Sequence, residues 1–170
     1  MKNKAINTLK YTGIVTLSQY IGSKKVKIAQ VQNTGGNPLF DFLSSCLIGD
    51  FTLAKVTRPT KIRLIRRSKD ASSDTYSYKD AASFGFINLF TKPEKVYSGT
   101  KSVVRYSFSI SRDQLDLIDN FEELGIGLYH SGAQDTEIAN YSAFCEINLT
   151  KGSLVNSSLV VDWELAISNA

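Results

Sequence analysis

A regular alternation of apolar and polar residues constrains the fold of this chain more than any other feature. Tyr106, Phe108 and Ile110 are separated by single serines, and in 158–167 one face carries Leu159, Val161, Trp163, Leu165 and Ile167 and the other Ser158, Asp162 and Glu164. A period of two places successive side chains on opposite faces of a β-strand. Because only one face is apolar, these stretches are predicted to be half-buried strands of an antiparallel sheet.

The same pattern recurs along the chain and sets the predicted fold class. Residues 9–20 and 141–149 alternate in the same way, and Gly22-Ser23 is suited to a two-residue hairpin turn. About eight strands are predicted, together with one helix. The predicted fold is mostly β, an antiparallel β-sandwich of jelly-roll or Greek-key character with one α-helix packed on it. A length of 170 residues fits a single domain, 1–170.

The sequence NPLFDFLSSCLIG, residues 37–49, predicts the helix, at about 38–48. Asn37 is expected to be the N-cap, Pro38 the first helical residue and Gly49 the left-handed residue that ends the helix. At about 100° per residue, six side chains form one apolar arc that should pack on the strands: Leu39, Phe40, Phe42, Leu43, Cys46 and Leu47. Ile48 lies on the polar side, so it is a candidate interface residue.

Composition predicts the structure of two further stretches. Residues 51–56 are β-prone and are predicted to form a short strand. Residues 68–82 contain turn-forming residues without apolar periodicity, so they are predicted to be a long surface loop. Tyr76 and Tyr78 on this loop are candidates for contact with a partner, with an exposed loop that contacts nothing as the alternative.

The net charge of +4 is unevenly distributed. Residues 55–69 contain seven basic and no acidic residues, whereas residues 113–123 contain five acidic and no basic ones. Nucleic-acid binding is not favoured, because no aromatic residue lies between Phe51 and Tyr76 to stack on bases. The basic stretch is either a solvated strand face or a protein interface. Its candidate interface residues are Lys61, Arg63, Arg66 and Arg67.

No motif indicates catalysis, a metal or a cofactor. The single histidine, His130, lacks a nucleophile elbow, and Cys46 and Cys145 have no metal-ligand spacing, so both cysteines are expected to be buried. The N-terminus has no apolar segment typical of a secretory signal, and no stretch is apolar enough to span a membrane. The sequence therefore predicts no catalytic, cofactor or metal-binding residues, and a protein made in a cytoplasm.

Several segments resemble small structural proteins of tailed bacteriophages. The resemblance rests on YTGIVTLSQYIGSKKVKIAQVQNTGG (11–36), PLFDFLSSCLIGDF (38–51), FEELGIGLYH (121–130) and LTKGSLVNSSLVVDWELAIS (149–168). It implies a virion protein without enzymatic activity, assembled in the host cytoplasm. Its partners would be other virion proteins and further copies of itself, in the collar or head–tail connector or in the tail. A head fibre or a capsid decoration protein is the alternative within a virion.

A receptor-binding or carbohydrate-binding sandwich is the other open interpretation. Tyr76, Tyr78, Tyr97 and Tyr129 are its possible stacking surfaces. Trp163, the only tryptophan and the residue best suited to stack on a sugar, is predicted to point inward, which argues against this interpretation.

Overall fold

A computed structural model of the chain describes residues 9–73, 75–98, 101–118, 124–147 and 157–169. Within these ranges the chain forms ten strands: β1 Leu9–Ile21, β2 Lys24–Gly35, β3 Pro59–Lys69, β4 Tyr76–Asp80, β5 Ile87–Asn88, β6 Glu94–Ser98, β7 Lys101–Ile110, β8 Leu124–His130, β9 Ala143–Ile147 and β10 Leu159–Asn169. Three helices accompany them in the same ranges: α1 Asn37–Ile48, α2 Phe51–Thr57 and α3 Arg112–Asp116.

Hydrogen bonds link the ten strands into one open antiparallel sheet. The order is β4-β3-β8-β9-β2-β1-β10-β7-β6, and β5 pairs with β3 beside this path. The mostly β, antiparallel fold predicted from the sequence is confirmed. The number of strands in the described residues is ten, whereas about eight were predicted.

The sheet consists of two groups of strands joined by a short link. The first group contains β6, β7, β10, β1 and β2, and the second contains β9, β8, β3, β4 and β5. Within the first group, β1 pairs with β10 from Leu9 to Gln19. Between the groups, β2 meets β9 through only two residue pairs, Thr34–Phe144 and Gly35–Ala143.

One hydrophobic core draws side chains from both groups of strands. Trp163 of β10 and Phe108 of β7 come from the first group, and Ile62 of β3 and Leu128 of β8 come from the second; all four are fully buried. The alternating faces predicted to point inward on β7 and β10 are confirmed. Because the core is shared, neither group can bury its apolar face without the other.

Helix α1 packs on this core with a narrower face than predicted. Leu39 belongs to the core, and Phe42 and Leu43 pack against it half-buried. The prediction is wrong for Cys46 and Leu47, which are exposed, whereas Phe40 packs edge-on against Tyr11 of β1 with ring centroids 6.3 Å apart and is about half exposed. Only Leu39, Phe42 and Leu43 of the arc reach the core, about one residue per turn, whereas an amphipathic stripe would bury about twice that number.

The ends of α1 agree in part with the prediction. Gly49 has a left-handed backbone with φ 77° and ends the helix as expected. The N-cap is Gly36 and not Asn37, so Asn37 is the first helical residue. A Cβ on Gly36 would collide with the backbone carbonyl of Tyr141, which leaves no room for any other residue at this cap.

Two stretches have a structure different from the one predicted. Residues 51–56 form helix α2 and not a strand, because the Asp50 side chain caps it by accepting a hydrogen bond from the Leu53 N–H at 3.0 Å. Residues 68–82 are not a long loop. Strand β3 continues to Lys69, the Asp70 N–H donates to the Thr75 carbonyl at 2.8 Å across a turn, and β4 returns beside β3.

Candidate protein–protein interaction surface

Arg63, one of the predicted interface residues, lies inside the molecule. Its side chain is only 4% exposed. Nε and Nη2 face the carboxylate of Asp80, and Nη2 donates to Asp80 Oδ2 at 2.7 Å. Nη1 donates to the carbonyl oxygen of Asp135 at 2.8 Å. Little of this guanidinium is left for a partner to contact, and the interface role of Arg63 stays a prediction.

Lys61 takes part in the same internal cluster. Its ammonium and the Arg63 guanidinium both lie over the ring of Phe86, 4.9 Å and 4.6 Å from the ring centroid. Lys61 Nζ also donates to the carbonyl oxygen of Ala133 at 3.2 Å. Cations are attracted to the negative face of an aromatic ring, so these contacts tie β3 to the segments that carry Phe86 and Ala133. Lys61 is half-buried and is committed mainly to the fold.

The other two basic candidates stay predictions. Arg66 is half-buried and interacts with other groups in the chain. The side chain of Arg67 lies outside the part of the chain that the structure describes.

The tyrosines differ in how accessible they are. Tyr76 on β4 is exposed, as a contact residue must be. Tyr78 is half-buried and packs edge-on against Tyr141 and Phe144, with ring centroids 6.0 Å and 6.2 Å away. Tyr129 is fully buried, and its hydroxyl donates to the carbonyl oxygen of Ile138. Burial raises the pKa of Tyr129 above its ordinary value, and this residue is not available to stack on a sugar.

The largest exposed apolar feature of the described residues lies on the two consecutive helices α1 and α2. Six large apolar side chains there are between 43% and 78% exposed: Phe40, Leu47, Ile48, Phe51, Leu53 and Val56. The most exposed three, Leu47, Ile48 and Phe51, surround the turn between the helices. We call these six residues the α1–α2 surface. Of these six residues, only Ile48 was predicted from the sequence to be an interface residue.

Local sequence explains why two helices form here and why they stay together. Gly49 supplies the left-handed turn, and the Asp50 N–H then bonds to the carbonyl oxygen of Ser45 at 2.9 Å. Ser45 of α1 and Ala54 of α2 are buried, and the two helices pack against each other. The exposed apolar side chains of α1 and α2 therefore lie outside the contact between the two helices.

Both ends of the helix pair are fixed to the segments around β8 and β9. At the start of α1, the Gly36 N–H donates to the Ser142 carbonyl at 2.7 Å. At the end of α2, the Gly132 N–H donates to the Val56 carbonyl at 3.1 Å, and the Ser131 hydroxyl donates to the Lys55 carbonyl at 2.9 Å. These bonds hold the α1–α2 surface in a defined position on the sheet.

Histidine, cysteine and acidic side chains of the described residues are spread over the fold. No group of three or more His, Cys, Asp or Glu side chains in the described ranges is placed to hold a metal ion. His130 Nδ1 lies 3.2 Å from the carbonyl oxygen of Val56, beside α2. Cys145 is buried as predicted, and burial raises the pKa of its thiol to about 12, whereas Cys46 is exposed and the prediction for it is wrong. Among the residues described, no helix has the length and hydrophobicity to span a bilayer.

Comparisons with models of known protein families, with curated proteins and with solved structures find no match to this chain.

Proposed function

We propose that this chain is a non-enzymatic virion structural protein of a tailed bacteriophage that assembles through protein–protein contacts. The observation that carries the assembly role is the α1–α2 surface. Six exposed large residues together expose on the order of 700 Å² of surface, most of it apolar, taking about 200 Å² for a fully exposed large residue. Monomeric proteins rarely expose an apolar patch larger than about 300–600 Å², and the three most exposed of these residues stand together around the turn between the helices. A surface of this size is typical of an interaction site.

The placement in a virion is supported by the resemblance of residues 11–36, 38–51, 121–130 and 149–168 to phage structural proteins. We rank the collar, head–tail connector or tail first, and a head fibre or capsid decoration protein second. All of these proteins act by presenting fixed surfaces to neighbours, and the hydrogen bonds that anchor α1 and α2 suit that task.

We further propose that the two groups of strands face each other as a sandwich of jelly-roll type. The shared core supports this arrangement, because Trp163 and Phe108 of the first group belong to the same buried cluster as Ile62 and Leu128 of the second. The short link between β2 and β9 is consistent with a sheet that turns a corner there.

A carbohydrate-binding domain is the second candidate, and one observation favours it. An open groove of about 560 Å³ is lined by Arg63, Asp80, Phe86 and Asp135, so it offers an aromatic ring and polar side chains to a ligand. The Phe86 ring already carries two cations, however, which leaves less of it free for stacking. Binding to a glycan array that is lost in Asp135→Ala and retained in Asp113→Ala would favour this candidate.

Virions themselves provide the test of the proposed function. An antibody raised against the purified chain should label one fixed position on particles of the phage that encodes it, as seen by electron microscopy. The copy number per particle, measured by quantitative mass spectrometry, should be a multiple of the rotational symmetry at that position of the particle. Complete particles that lack the chain would contradict the proposal.

A further inference from the structure

We infer that the α1–α2 surface is covered by the same surface of a second copy of this chain, related by a two-fold axis. The inference deepens the proposed function and rests on it. In such a dimer, α1 and α2 of one copy lie against α1 and α2 of the other, so that four helices form one layer between the two sheets.

The area of the surface matches a dimer interface. A stable protein–protein interface buries about 800 Å² on each partner. The six residues expose on the order of 700 Å² of surface in total, most of it apolar, and the polar groups around them add to it. Two copies therefore reach the size of a stable interface without help from another part of the chain.

The charges around the surface favour a second copy over a strongly charged partner. Residues 37–58 contain two acidic residues, Asp41 and Asp50, and two basic ones, Lys55 and Arg58. Their sum is zero, although the chain as a whole carries +4. Two copies that meet through this neutral patch avoid the charge repulsion that contact through a basic face would cause.

The two-fold arrangement follows from self-complementarity. An isologous interface places the same patch on both sides, so each copy must offer apolar area and both signs of charge within one patch. The α1–α2 surface does so, with Asp50 at the turn between the helices and Lys55 within α2. Each acid can then meet a base of the other copy at the polar rim.

The experiment measures the mass of the full chain by light scattering over a wide range of protein concentration. Ile48→Lys and Phe51→Glu place a charge in the surface, and their matched controls, Leu117→Lys and Phe90→Glu, place the same charge on exposed apolar residues elsewhere. We expect a dimer of twice 18.8 kDa for the wild type and for both controls. The two surface variants should raise the dissociation constant at least about 30-fold.

Folding of each variant is checked by the emission of the buried Trp163, which must stay as in the wild type. A wild-type monomer overturns the inference, and so does a dimer that persists in both surface variants, because the copies then meet through another face. If the dimer persists in both surface variants, the proposed assembly role of the chain still stands.

Binding of the dye ANS, which reports exposed apolar surface, separates the two proposals when the wild type is a monomer. A monomer that binds ANS, with binding lost in Phe51→Glu, overturns the dimer and leaves the surface open to a different virion protein. A monomer that does not bind ANS has this surface covered by its own chain, which overturns both the dimer and the assembly role assigned to the surface.

Discussion

Replacing Arg63 by methionine should destabilise the fold, because this arginine is an internal cross-link and not a surface charge. Methionine keeps much of the apolar stem and removes three interactions: the ion pair with Asp80, the hydrogen bond to the Asp135 carbonyl and the contact with the Phe86 ring. The Asp80 side chain is about one third exposed although its Oδ1 is buried, so water can hydrate part of the carboxylate that is left behind.

The expected loss follows from these contacts. A hydrogen bond from a charged donor contributes about 1.5–3 kcal/mol, and a cation over an aromatic ring about 0.5–2 kcal/mol. Removing one partner of a fully buried ion pair costs about 3–5 kcal/mol, which the hydration of Asp80 reduces. We expect a loss of about 3 kcal/mol in the free energy of unfolding, or about 6–12 °C in Tm for a chain of this size.

Guanidinium unfolding followed by Trp163 emission measures this loss, since the only tryptophan is fully buried in the native state. Lys79→Met is the matched control, because Lys79 is an exposed base on β4, and it should change stability by less than about 0.5 kcal/mol. A loss below about 1 kcal/mol for Arg63→Met, or one equal to that of the control, would refute the reasoning.

A double-mutant cycle with Asp80→Asn isolates the ion pair from the other two contacts. Groups in direct contact show coupling energies of about 0.5–3 kcal/mol, and we expect about 1–2 kcal/mol here because Asp80 is partly hydrated. A coupling energy of zero would mean that Arg63 acts only through Phe86 and the Asp135 carbonyl.

Three further predictions concern the core. Leu39→Ala should cost about 2–5 kcal/mol in urea unfolding, as a buried leucine does, and a loss near zero would show that α1 is not held on the core. In the native chain, maleimide should label Cys46 and spare Cys145, whose thiol is buried and whose pKa is raised to about 12; equal labelling before and after denaturation would contradict this. Burial also raises the pKa of Tyr106 to about 12, so the unfolded chain releases this proton first. Stability should therefore be intact below pH 10, the ordinary pKa of tyrosine, and fall as the pH rises towards 12. Tyr106→Phe should make the fall shallower, and an unchanged profile would count against the burial.

Patterns that depend on one buried face were predictable from the sequence. Tyr106, Phe108 and Trp163 alternate with polar residues because one side of β7 and β10 meets the core. Gly49 was recognisable because only glycine readily adopts the left-handed turn that it occupies.

The failures have physical causes as well. Strand β4 is an edge strand whose side chains are exposed or half-buried, so it carries no apolar period. Arg63 is buried by contacts with Phe86 and with the carbonyl of Asp135, which lies 72 residues further along the chain, and no local pattern contains that information. In α2, phenylalanine, threonine and valine suggested a strand, but the cap by Asp50 and the burial of Ala54 decided for a helix.

The α1–α2 surface was missed because apolar residues are usually assigned to the core. The sequence pattern assigned Leu47 to the buried arc of the helix, Ile48 to its polar side and Phe51 to a short strand. The useful signal is local: apolar residues stand on both sides of the Gly49-Asp50 turn, where a short helix pair has too little buried face to cover them all.

The pairing of β1 with β10 has a consequence for how the chain folds. Leu9 pairs with Asn169 and Gln19 with Leu159, so nearly the whole chain lies between two strands that end up adjacent. The β1–β2 hairpin can form early because its two strands are close in sequence. We expect the pairing of β1 with β10 to form last. Distant pairings slow folding, and an open strand edge can pair with other chains in the meantime. We expect refolding yield to fall steeply with protein concentration, and a chain stopped before residue 159 to aggregate.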